Sequence, residues 1–206
     1  GFIPFLIVFA GLLIIYKRKF FSQLLENGWH GAAYAVTFAI TNIFFVISIN
    51  NTNVANTLIM IALAPMLSAV ISFIFLKEST DKKTWIAITI TTLAVIYIFN
   101  DSFERGDVLG NFLVLVCAAG LAIGAVIIRS AKKINLVPSA MMGKLLVTLI
   151  ALFFTESLIL KESDAIIIPI MCVVCVAIPF VLITLAPRYI TAPEVNLFFL
   201  LETILG

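Results

Sequence analysis

Residues 53–78 read NVANTLIMIALAPMLSAVISFIFLKE. Between Asn53 and the Lys77-Glu78 pair lies an uncharged, largely apolar run from Val54 to Leu76. A run of that length predicts a bilayer-spanning helix, because about 20 residues cross the hydrocarbon and backbone there must satisfy its own hydrogen bonds. Pro65, in mid-run, has no N–H to give and leaves the carbonyl of Ile61 open to another partner.

The same pattern recurs on both sides. Polar punctuation bounds eight candidate spans: Gly1 to Tyr16, Gly31 to Ile49, Val54 to Leu76, Trp85 to Phe99, Val108 to Ile128, Ser139 to Leu160, Ile166 to Ala186 and Pro193 to Gly206. None alternates in the manner of a barrel strand, so the expected class is all-α, a polytopic integral membrane bundle. The composition agrees: 12% charged and 63% hydrophobic residues, with a mean hydropathy of +1.20, leave no material for a water-facing surface. Turns as short as Asn50 to Asn53 and Pro187 to Ala192 leave no room for an extramembrane domain. Gly1 opens inside one apolar run and Gly206 closes about fourteen residues into another, which predicts spans continuing beyond both ends. Basic residues follow the first run and no small-residue cleavage site is present, so it reads as the tail of a span and not as a signal peptide.

Basic residues fall in alternate gaps. Lys17, Arg18, Lys19, Lys77, Lys82, Lys83, Arg129, Lys132, Lys133 and Arg188 lie in one set, and only Arg105 and Lys161 in the other. Retention of Lys and Arg on the cytoplasmic side then orients every span. Trp29 and Trp85 fall at cytoplasmic ends, as headgroup anchors. The net charge of +2 is spent on orientation, so the expected partners are the lipid bilayer and a small-molecule substrate, with no nucleic acid.

A shift of 138 residues superimposes Gly1 to Tyr16 on Ser139 to Phe154, Gly28 to Ile49 on Ile166 to Pro187, and Asn53 to Pro65 on Thr191 to Thr203. Val36, Ala39 and Ile40 meet Val174, Ala177 and Ile178 in this register. Five spans separate matched elements, and an odd number reverses direction through the membrane. The register predicts an inverted repeat, the plan by which many secondary carriers build alternating access.

The Asn53 to Glu78 stretch, with its polar start, central Pro65 and closing Leu76-Lys77-Glu78, resembles the fourth helix of the drug/metabolite transporter superfamily, EamA-type. There the closing turn is Leu-Gly-Glu-like; here Lys77 replaces the glycine. Leu201-Glu202-Thr203 stands where the second repeat carries Leu-Glu-Pro, with Thr203 departing from the proline, and Asp107 to Arg129 resembles the helix that opens that repeat. The resemblance implies two inverted five-helix repeats, a first within residues 1–100 that lacks its first helix and a second within 106–206 cut short in its fourth. It further implies transport of amino acids, related metabolites or amphipathic drugs, often by efflux.

Candidate residues follow from cost. Glu202 lies about ten residues into its span, roughly 15 Å deep, where an ionisable group is expensive unless paired, hydrated or protonated, so it is a substrate or coupling candidate. Asn42, Asn56 and Asn196 can bridge helices or line a wet cavity. Lys144, the basic residue inside a span, either contacts substrate or snorkels its ammonium to the headgroups. Thr191-Ala192-Pro193-Glu194 has capping-box spacing, which gives Thr191 and Glu194 a helix-start role; Pro65 is a kink and Glu78 a span-end residue. Gly120 and Gly124 form a GxxxG for close packing within the chain or in a homo-oligomer. Cys117, Cys172 and Cys175 lie in apolar runs and read as packing residues.

The chain lacks HExxH, GxSxG and a Walker loop and has a single histidine, His30, so neither an enzyme nor a cofactor or metal site is expected. The function class is a secondary active transporter in a bacterial cytoplasmic membrane, working by alternating access. The competing class is a membrane protein whose polar residues only hold helices together. Transport predicts a wet, polar-lined cavity near Glu202 and Asn56, and the packing alternative a filled interior.

Overall fold

Every regular element among the described residues of this computed structural model, 9–11, 19–52, 54–104, 108–154, 170, 174 and 178–205, is helical. In chain order the helices are α1 (Lys19–Glu26), α2 (Gly28–Asn51), α3 (Val54–Ile61), α4 (Ala64–Leu76), α5 (Lys82–Glu104), α6 (Val108–Ser130), α7 (Val137–Phe153), α8 (Ile178–Leu185) and α9 (Ala192–Leu205), with a 3-10 turn at Ala186–Arg188. By length and composition α2 and α6 can each cross a membrane; α4, α7 and Ile178–Arg188 are apolar but shorter.

Several boundaries differ from those read in the sequence. The run Val54 to Leu76 is two helices, parted at Ala62 and Leu63. Pro65 explains the break: inside one continuous helix its ring would strike the carbonyl of Ile61, whereas near the start of a new helix its missing N–H costs nothing. Leu63 N–H turns back to the Met60 carbonyl at 3.0 Å, and Leu67 N–H to that of Leu63 at 3.1 Å opens α4. Helix α1 was not expected. Its sequence, KFFSQLLE, buries Phe20 while Phe21 and Leu25 face outward, and Gly28 at φ +47 turns the chain into α2. Helix α2 accordingly begins three residues before Gly31, and α5 takes in Lys82 and Lys83. Most of the span expected at 1–16, the first part of that expected at 166–186, and the end of the sixth at 155–160 lie outside the described residues.

Contacts divide the chain into two compact units that do not follow chain order, one of residues 1–39 and 133–186, the other of 40–132 and 187–206. In the first, α2 and α7 run in the same direction. A Cβ on Gly31 would meet Ser139, and one on Gly143 would lie 2.6 Å from the carbonyl oxygen of Ala35 and 3.0 Å from the Phe38 ring. Helix α8 runs against α2, with the Phe38 and Phe180 rings edge to face at 5.6 Å and the Tyr34 hydroxyl 3.5 Å from that of Thr184. A polar knot closes one end: buried Asn27 donates to the Asn135 carbonyl at 2.9 Å and to the Ser139 hydroxyl at 2.8 Å, and Asn135 accepts from Val137 N–H at 3.1 Å, at the start of α7.

In the second unit α3 and α4 lie along α6 in the same direction. Met60 and Ile61 pack on Val114 and Cys117, and farther along Ile71 and Leu76 pack on Ala125 and Val126. Helix α9 runs the opposite way, since its first residue, Ala192, joins the Ala125–Val126 cluster while the helix also reaches α3. The second half of α2 also runs against α6, with Thr41 against Gly120 and Asn51 against Gly110. The small face of α6 is thus used within the chain at Gly120, where a Cβ would collide with the Thr41 hydroxyl.

Helix α4 ends on Lys77 in the left-handed region, φ 55 and ψ 25. That is the glycine position of the Leu-Gly-Glu-like turn, and a Cβ there carries a steric cost that glycine avoids. Lys77→Gly should raise stability by about 0.5–1 kcal/mol, the relief being partly offset by the freer unfolded chain, as read by thermal unfolding in detergent. Gly120→Val should lower it by about 1–3 kcal/mol in the same assay, through overpacking against Thr41.

Candidate functional site

The second unit gathers uncharged polar side chains in an apolar interior. Ser48, Thr57, Ser68, Ser72, Asn111 and Asn196 are each at most 1% exposed. Ser48 donates to the Phe45 carbonyl at 2.8 Å, the usual helical arrangement. Thr57, Asn42 and Asn56 also have partners, the two asparagines being half-buried on α2 and α3. Among the described residues, the hydroxyls of Thr52, Ser68 and Ser72, both side-chain polar atoms of Asn111 and the Nδ2 of Asn196 meet no hydrogen-bond partner. Each such group costs about 1–3 kcal/mol in a dry interior.

Their placement follows from helical register. Ile61, Pro65, Ser68, Ser72 and Leu76 recur at three- and four-residue intervals, and both ends of this stripe pack on α6. Asn196 stands one turn past Ala192, on the face that meets α4 and α6. Ser68 and Ser72 therefore lie on the face of α4 that meets α6, and Asn196 on the face of α9 that meets both helices, where Ala118 and Ala122 of α6 are also fully buried. At these positions the helices meet closely, and the polar-lined cavity that transport predicts is not open there. Glu202 lies in α9, and its side chain is outside the described residues.

The ends of the helices carry the charges. Thr191 N–H donates to Glu194 Oε2 at 2.8 Å, and Val195 N–H to the Thr191 carbonyl at 3.1 Å, so Glu194 forms the carboxylate half of a capping box at the start of α9. Glu194 also borders a shallow groove of about 500 Å³ with Ile190, Leu197 and Phe198. Just beyond α4, Glu78 accepts from Arg129 Nε at 3.0 and 3.1 Å and ties the ends of α4 and α6 together. In the first unit the Lys144 ammonium lies 5.4 Å from the centroid of the Phe180 ring, which is itself buried. Among the described residues no cluster of His, Cys, Asp or Glu could hold a metal ion.

Sequence reasoning singled out Asn196 and Glu78 but missed Ser68, Ser72, Asn111 and the partner of Glu78. A signal existed for the serines: two hydroxyls four residues apart, one turn past a proline, stand out in an apolar run. None existed for Arg129, whose pairing across 51 residues depends on how α4 and α6 lie together.

The Glu78–Arg129 pair is only partly exposed, at 29% and 15%, so it should couple more strongly than a surface pair. A double-mutant cycle with Glu78→Gln and Arg129→Gln, read by thermal unfolding, should give about 1 kcal/mol of coupling, with the double variant little worse than either single one.

Comparison with known proteins bears on this arrangement through the first half of the chain. No curated protein and no solved structure matches it. Residues 1–100, which hold the broken helix and the Leu76-Lys77-Glu78 turn, match the EamA-like transporter family. These residues are similar to that family of integral membrane transporters, part of the drug/metabolite transporter superfamily.

Proposed function

We propose that this protein is a secondary active transporter, with eight spans in this sequence, that moves small metabolites, amino acids or drug-like solutes across a bacterial cytoplasmic membrane, outward, by alternating access. The observation that carries this reading beyond the family is the broken helix: a span interrupted at Ala62 and Leu63 lies against an antiparallel helix, α9, in an interior rich in uncharged polar groups. Interrupted helices serve carriers because half-helix ends offer backbone groups and dipoles to a solute where no continuous helix can. A broken span is otherwise costly in hydrocarbon.

Direction supports the inverted-repeat reading. Helices α2 and α8, matched by the shift of 138 residues, run opposite ways within the first unit, and so do the matched α3–α4 pair and α9 within the second. Basic residues at Lys77, Lys82, Lys83, Arg129, Lys132 and Lys133 gather where α4, α5 and α6 begin or end, which suits a cytoplasmic side. Glu202 is the coupling or substrate carboxyl in this proposal. Ten residues past Ala192 on a helix antiparallel to α4, its backbone falls about level with the break before Ala64. Asn42, Asn56 and Asn196 are the residues of the second unit that meet solute in this proposal, and Lys144 is the candidate within the first.

The burial of Ser68, Ser72 and Asn196 favours a second reading, a membrane protein whose polar groups only hold helices together. Unpartnered groups hold nothing together, and this weighs against it.

Flux decides. Full-length protein in proteoliposomes, challenged with a panel of amino acids, metabolites and amphipathic drugs, should move at least one of them, and Glu202→Gln should reduce that flux by about tenfold or more. Equal flux in both removes Glu202 from the mechanism, and no flux across the panel favours the packing reading.

A further inference from the structure

We propose that Ser68, Ser72 and Asn196 line a seam between α4 and α9 that parts in another state of the protein and admits water and the uncharged hydrogen-bonding part of a solute. The placement of Ser68 comes first. Side chains on a helix lean toward its N-terminus, so Ser68, five positions into α4, leans toward the break at Ala62 and Leu63, where no side chain caps the helix. The positive end of α4 thus lies about one turn from a hydroxyl that is fully buried and meets no hydrogen-bond partner among the described residues. Ser72 repeats the hydroxyl one turn on, and Asn196 brings an unpartnered amide nitrogen from the helix opposite.

Alanine at 68 or 72 would fill almost the same volume, and the hydroxyls close no bond in the packed state, so what they offer is used when α4 and α9 are apart. Together the three supply two hydroxyls, an amide donor and a helix N-terminus, and none of the side chains carries a charge. The seam thus recognises hydrogen-bond acceptors by geometry and leaves charge selection to residues elsewhere. The small opposing residues of α6, Ala118 and Ala122, leave that wall smooth as the helices move.

Access can be read without any transport. In a background with Cys117→Ala, Cys172→Ala and Cys175→Ala, the variants Ser68→Cys, Ser72→Cys and Asn196→Cys are exposed in proteoliposomes to a charged, membrane-impermeant methanethiosulfonate, applied from each side. Ser130→Cys serves as the exposed control and Val114→Cys as the buried apolar one. The three seam cysteines should react from at least one side, about 10- to 1,000-fold more slowly than the exposed control, as a minor open state dictates, while Val114→Cys stays unmodified. Seam cysteines as inert as Val114→Cys from both sides overturn the proposal. A second measurement does not depend on cysteine: Ser68→Ala with Ser72→Ala should raise the unfolding temperature and lower flux of a transported solute by about tenfold, whereas a gain in stability at unchanged flux overturns the seam. This second arm rests on the transport reading and the labelling does not, so a protein that labels but moves nothing loses the function and keeps the seam.

Discussion

A hydrogen-bonding group with no water to turn to must find a partner inside the protein, and most of this structure answers that demand. It makes the apolar runs helical, because only a helix satisfies its own backbone within a single segment. It decides how the span at Val54–Leu76 breaks: once Pro65 prevents a continuous ladder, Leu63 turns back to Met60 and a second helix starts with the proline where no N–H is needed. It shapes the ends, where Glu194 accepts the Thr191 N–H and Asn135 accepts that of Val137. Against that background, Thr52, Ser68, Ser72, Asn111 and Asn196 are the exceptions among the described residues, and they share one unit of the fold.

Close approach between helices rests on missing side chains more than on large ones. Gly143 sets α7 against Ala35 and Phe38 of α2, and Gly120 admits Thr41 to the face of α6. Where the surroundings are lipid there is little hydrophobic force to drive helices together, so dispersion across small residues and occasional hydrogen bonds must do it. Most charge lies at the margins, Lys144 and Glu202 excepted. Glu78 and Arg129 join α4 to α6 just past the apolar part of both, and Lys144 rests on an aromatic ring inside the first unit. An architecture of this kind can shift one helix on another without exposing a large apolar core, and a carrier has to do the same.

How far the fold was legible depended on whether each cue was local. Hydropathy marked α2 and α6 because both are long and apolar, and Pro65 marked the place where helical hydrogen bonding is interrupted, at Ala62 and Leu63. Helix α1 escaped notice because eight residues mixing Phe20, Phe21 and Leu25 with Lys19, Gln23 and Glu26 look like polar punctuation when the search is for spans. The Thr191–Glu194 cap was readable, since partners three residues apart meet on any helix start. Asn56 and Asn196 looked alike in sequence, yet one has a partner and the other an unpartnered amide, a difference that belongs to their neighbours and not to themselves.

By itself, the amino-acid sequence determined an all-helical membrane protein, the place of its helix interruption, the cap at Thr191 and, over residues 1–100, its likeness to a transporter family, because each of these follows from hydropathy, proline chemistry or the spacing of neighbours in the chain. Tertiary structure alone decided that Glu78 meets Arg129, that Gly120 is filled by Thr41, and that Ser68, Ser72 and Asn196 face one contact with their hydrogen bonds unmade. The reason is physical: whether a polar group is satisfied depends on what the next helix brings within 3 Å of it, and nothing within its own helix contains that information.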